Sequence, residues 1–118
     1  MSRIARGQSQ NWLNVVANKT DYLARLQVAI QQLHNCGANY RETVPVQEVF
    51  QGQTIWQGEV EVFDLYGHPN AKVCYGWSHK EGKYDKGERF VAVLQIPPVT
   101  SPDTAVKVAI AAEIKRKK

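Results

Sequence analysis

Two cysteines, one methionine and no Cys-x-x-Cys pair leave this chain without the means for a disulfide scaffold or a thiolate metal centre. No apolar run approaches the roughly 18 residues that a membrane-spanning helix needs, so no membrane partner is expected. The opening stretch MSRIARGQSQNW is basic but lacks the apolar core of a secretory signal, which predicts a cytoplasmic protein whose Cys36 and Cys74 are reduced thiols. Gly76, Gly82 and Gly87 have neither the P-loop nor the dinucleotide-binding spacing, and no cofactor is expected. The body of the chain also lacks excess charge. The net +4 resides in Lys115, Arg116, Lys117 and Lys118, because the preceding residues hold 11 basic and 11 acidic side chains.

What remains is an ordinary globular composition, 43% hydrophobic and 22% charged over 118 residues, which predicts a single domain with residues 1–8 and 115–118 as flexible tails. Ser9 and the spacing of Trp12, Val15 and Val16 predict a short first helix over 9–17. A stronger helix follows: Thr20 as its cap, Asp21 at the positive end of its dipole, Leu23, Leu26, Ile30 and Leu33 as its apolar stripe, and Gly37 as its stop. A last helix is marked by Ser101 as cap, Pro102 in its first turn and Asp103 beside it, with Val106, Ala109, Ile110 and Ile114 as the docking stripe.

Between the helices, runs rich in Val, Phe, Ile, Trp and Tyr predict four strands: 44–50, 54–66, 71–79 and 89–96. Pro45 assigns the first to a sheet edge, where a missing N–H costs little. In the second, apolar residues change parity between Val62 and Phe63, which implies a β-bulge or a strand covered on both faces. In the third, Ala71, Val73, Tyr75 and Trp77 share one face. The fourth is apolar on both parities, as in an interior strand. The fold class is therefore α+β: a four-stranded, mainly antiparallel sheet, one or two N-terminal helices and a C-terminal helix, packed on one face.

The stretch DLYGHPNAKVCYGWSH is dense in reactive residue types, but as a metal site His34, Cys36, His68, Cys74 and His79 match no common zinc spacing, and no metal is expected. A nucleophilic Cys74 needs His68 or His79 beside it; His79 falls on the other strand face and His68 in a turn. Glu59 and Glu61 share a face and offer paired carboxylates, with a solvated outer face as the plainer reading. No catalytic residue is assigned. The aromatic belt carries more weight. Two or three helices cover only one sheet face, so Trp56, Tyr66, His68, Tyr75 and Trp77 are assigned to a ligand site or interface, with core packing as the plain alternative.

Three functional classes follow. A non-catalytic binding protein, a homodimer through its aromatic sheet face, is the first. A cavity protein taking a small apolar ligand or performing catalysis, with His68, Tyr75, Glu61 and Asp64 as polar candidates, is the second. Nucleic-acid binding through Lys80, Lys83, Lys86, Arg89 and Lys115 to Lys118 is the third. The element order resembles the double-stranded-RNA-binding domain, yet Ser101-Pro102-Asp103-Thr104 stands where that family carries its lysine cluster. The runs GHPNAKVCYGWS, EVEVFDL and RFVAVLQIPPVTSP resemble uncharacterised small bacterial proteins of the mobile gene cassette type over residues 20–112. That resemblance implies a bacterial cytoplasmic protein and brings no functional residues with it.

Overall fold

A computed structural model describes residues 19–81 and 87–117. The helix expected over 9–17 and the tail 1–8 lie outside the described residues. Helix α1 occupies 19–34 and already includes Thr20, which is therefore not its cap. Leu26 and Ile30 are fully buried and Leu23 partly so, whereas Leu33, one turn on, faces solvent. The helix ends three residues before Gly37, because Asn35 adopts the left-handed conformation (φ 56°) and its N–H donates to the Gln31 carbonyl at 2.9 Å. Asparagine tolerates that backbone better than other residues with a side chain.

Gly37 instead opens β1 (Gly37–Phe50), which is followed by β2 (Gln53–Tyr66), β3 (Val73–Glu81), β4 (Gly87–Leu94) and α2 (Pro102–Lys117). The strands form one antiparallel sheet in the order β1-β2-β3-β4, so the α+β class and the four strands read from the pattern are present. Gln51 and Gly52, at φ 51° and 79°, make the two-residue turn whose twist suits a tight hairpin. Pro45 does lie on an edge strand.

Two features differ from the pattern-based expectation. The helices do not share a face. Val60, Val62, Tyr75 and Trp77 pack with Ala105 and Val106 of α2, while Phe63 and Cys74, of opposite parity, pack with Leu26 and Ile30 of α1. The parity change at Val62 and Phe63 is thus a strand covered on both faces; the register shifts lie at Arg41 of β1 and opposite Glu48–Val49, at Ile55 of β2. Fully burying a side chain such as Leu26 of α1 or Val106 of α2 contributes about 2 kcal/mol, so each helix has its own anchor. The second difference is β4, which is an edge strand. It is apolar on both parities because both helices reach it: Phe90, Ala92 and Leu94 face α1, and Val91 and Val93 face α2. His34 Nε2 meets the Ala92 carbonyl at 2.9 Å and covers part of that edge.

Helix α2 is capped reciprocally. Thr104 N–H donates to Ser101 Oγ at 3.3 Å, and Ser101 N–H donates to Thr104 Oγ1 at 2.9 Å. Of its expected stripe, Val106 is buried, Ala109 and Ile110 are partly so and Ile114 is exposed. The helix continues to Lys117, through most of the expected tail. Among the described residues no helix is long and apolar enough to cross a membrane.

Candidate functional site

The site arises from a defect in the sheet. β2 pairs with β1 along its length but with β3 only from Glu61 to Asp64, opposite Val73 to Gly76. Beyond Gly76, β3 pairs only with β4. The two hairpins part there, and a cleft of about 580 Å³ opens between them, lined by Lys19, Tyr22, Trp56, Glu59, Glu61, Trp77 and their neighbours.

Trp56 and Trp77 close the far side of this opening, their ring centroids 5.8 Å apart and their planes at 67°, an edge-to-face contact. Behind them, on the α2 side, lies a second hollow of about 300 Å³ bounded by the same two indoles with Val106, Ala109 and Ile110, and by the Arg89–Glu113 ion pair at 3.2 Å. The indole pair is therefore a partition between hollows on opposite faces of the sheet. Gly58 permits it: a Cβ there would lie 3.0 Å from the Trp56 ring.

The polar wall of the cleft is made on the α1 side. Glu61 is only 1% exposed, and both its oxygens are engaged: Thr43 donates its hydroxyl to Oε1, and Lys19 donates to Oε2 at 2.7 Å. The Tyr40 hydroxyl meets Thr43 Oγ1 at 2.6 Å and extends the chain. Burial works against the Lys19 ammonium, yet the hydrogen bond and charge of Glu61, with Glu59 adding, hold its pKa above the ordinary lysine value. Glu59 is the accessible carboxylate, its side chain 66% exposed and 3.8 Å from Lys19. Thus Glu59 and Glu61 are not a jointly solvated pair, since only one meets water.

The other residues singled out from the sequence are dispersed. Tyr75 and Trp77 are buried beneath α2, at 4% and 3% exposure, so the aromatic face expected to lie open is the core of the α2 side. The alanine at 105 and valine at 106 let the helix approach the rings closely. Tyr75 hydroxyl accepts from the Gln95 amide at 2.7 Å. Tyr66 is exposed at the other end of β2, where its ring lies over Gly37; a Cβ on that glycine would collide with it. His68 belongs to the β2–β3 turn: its Nδ1 accepts the N–H groups of Asn70 and Ala71 at 3.1 and 3.0 Å. Asp64 pairs with Arg41.

Cys74 is fully buried on the α1 side, and burial, with a smaller contribution from Cys36, pushes its thiol up to about 12, the Tyr75 carbonyl opposing weakly. His79 lines the cleft with Trp77, on the other strand face, so no cysteine–histidine pair forms between them. Among the described residues, no group of three His, Cys, Asp or Glu side chains is placed to hold a metal ion. Of the basic residues, Arg89 is tied to Glu113 and Lys115 is exposed on α2. Lys80 lies on β3, and Arg116 and Lys117 end α2; Lys83, Lys86 and Lys118 lie outside the described residues.

Sequence reasoning missed Lys19 and Tyr22 as part of the site. One signal was present: a carboxylate flanked by Val60, Val62 and Phe63 in a strand covered on both faces must be buried and needs a cation. No protein-family model, no curated protein and no solved structure matches this chain.

Proposed function

We propose that this is a non-catalytic binding protein that seats its ligand in the cleft between the β1–β2 and β3–β4 hairpins. The observation that carries the reading is the Trp56–Trp77 pair at the floor of an approximately 580 Å³ opening with Glu59 accessible at its rim. The half-buried Trp56 indole, backed edge-to-face by the buried Trp77, offers apolar and π surface, and a nearby carboxylate favours a ligand that is neutral or cationic. Three of the described groups first considered for chemistry are committed elsewhere, which favours binding over catalysis. Both Glu61 oxygens are occupied, Cys74 is buried and held protonated, and His68 Nδ1 is committed to a turn.

The test is a titration of the isotopically labelled full chain with tryptamine and with indole-3-acetate, followed through the indole N–H resonances. Binding of the cation with shifts at Trp56, Trp77 and residues 57–61 is the expected result. Equal or stronger binding of the anion, or shifts confined to other surfaces, overturns the reading.

A second reading, a homodimer, is favoured by the hairpin tip. Residues 49–58, VFQGQTIWQG, carry no charge, and Val49, Phe50 and Ile55 are 55%, 61% and 50% exposed. Two copies meeting there bring no like charges together. Light scattering of the eluted protein should report a dimer that Phe50→Lys dissociates; a wild-type monomer at low micromolar concentration refutes it.

A further inference from the structure

β2 is an interior strand with an open edge. The ladder to β3 is hydrogen-bonded at the Leu65/Lys72 step, where Leu65 N–H donates to the Lys72 carbonyl at 2.8 Å, and the same register continues through Phe63/Cys74 and Glu61/Gly76. Main-chain groups alternate in direction along an antiparallel ladder. Residues 57 and 59 therefore turn their N–H and C=O toward β3, as Glu61 and Phe63 do, while Gly58, Val60 and Val62 turn theirs toward β1. But β3 no longer pairs with β2 at that level, and among the described residues nothing bonds the cleft-facing main chain of Gln57 or Glu59. Exposed edges are usually blunted by proline, by a bulge or by cover, as β1 is by Pro45 and β4 is in part by His34. Among the described residues none of these devices stands at residues 57–60.

We infer that this open edge takes an extended peptide segment of a partner protein, added as a strand to the outer half of β2. The inference rests on the cleft being the binding site and names the class of its ligand. Two residues of main chain, spaced by one and facing the same way, present alternating donors and acceptors that another extended backbone matches. Charge complementarity selects the occupant. Glu59, its side chain 66% exposed, is the outermost charge beside the edge, since Lys19 at 37% is bonded to Glu61, and the segment from 53 to 58 is uncharged, so the added strand carries Lys or Arg opposite Glu59 and apolar or neutral residues elsewhere. A second copy of this chain, bringing Glu59 near its own counterpart, fits less well.

A displayed library of random peptides, selected against the full chain, tests this. Selected sequences should alternate apolar and polar positions with one basic residue, and should bind Gln57→Pro about tenfold more weakly, since proline there removes a cleft-facing N–H while leaving the ladder to β1 intact. Glu59→Lys should reverse the charge preference; circular dichroism establishes that each variant is folded. Selected peptides that bind Gln57→Pro undiminished overturn strand addition. If those same peptides still shift the Trp56 and Trp77 resonances, the cleft reading survives and only the strand reading falls; if they shift neither, both fall. A dimeric free protein whose dimer Gln57→Pro dissociates also overturns it, because the edge is then filled by a second copy.

Discussion

Trp56 reaches Trp77 across the gap where β2 and β3 have ceased to pair, so two side chains on the α2 side of the sheet close an opening that the backbone leaves. Gly58 makes the contact possible by leaving room for the Trp56 ring, which a Cβ would approach to 3.0 Å. Gly58→Val should push the indole away. The loss of the ring contact, about 1 kcal/mol, is offset by the valine's better strand propensity, also about 1 kcal/mol, so stability should change little. The near-ultraviolet circular dichroism should instead fall to that of Trp56→Phe. An unchanged spectrum would mean that the pair does not depend on Gly58.

The Lys19–Glu61 pair leads to a different kind of variant. Lys19→Met leaves a carboxylate of 1% exposure without its cation and should cost about 1–3 kcal/mol in urea unfolding. Glu61→Gln keeps an acceptor for the Thr43 hydroxyl and should cost less. The double variant should recover part of the Lys19→Met loss, because no buried charge remains; strictly additive losses would show that the two side chains are not coupled. The pH dependence follows from the raised Lys19 value. Its contribution is complete below the ordinary lysine pKa and is lost as pH rises through the higher folded value.

Much of the fold was legible because burial leaves a period in the sequence. The alternation of Val73, Tyr75 and Trp77, the apolar stripe of Leu23, Leu26 and Ile30 and the Ser101-Pro102-Asp103 helix start are all local signals, and all are present in the structure. What could not be read is which strand neighbours which face. Val91 and Phe90 are apolar on both parities, a pattern that an interior strand and an edge strand between two helices share. The site was half legible for the same reason. Trp56 and Trp77 were singled out by type, but their meeting depends on where the β2–β3 ladder stops, and no residue at Gly76 or Trp77 marks that end.

The two thiols should be inert in the folded protein. Burial pushes Cys74 up to about 12 and raises Cys36 as well, and the thiolate is the reactive form. At pH 8 only about one Cys74 in ten thousand is ionised, so a disulfide reagent should label it at the rate of unfolding, and rapidly in guanidinium. Stability should be undiminished by this group below its ordinary value of 9.0 and should fall as pH climbs toward 12, because only the unfolded chain ionises readily in that range. Fast labelling at pH 8 without denaturant would contradict this.

His68 separates a turn from a site. Its Nδ1 holds the N–H groups of Asn70 and Ala71, so its ring does locally what an asparagine side chain does in an Asx turn. His68→Ala should lower stability by about 1 kcal/mol, read as a fall of roughly 5 °C in the thermal midpoint. His68→Asn should restore most of that, since its amide oxygen can accept the same donors. Ligand titrations through the Trp56 and Trp77 resonances should be the same for both variants and for the wild type, because His68 lies in the turn beyond the paired end of the β2–β3 ladder, whereas the cleft opens beyond the other end. Loss of binding in His68→Ala that His68→Asn fails to rescue would return the histidine to the list of ligand contacts and would place the working surface at the turn.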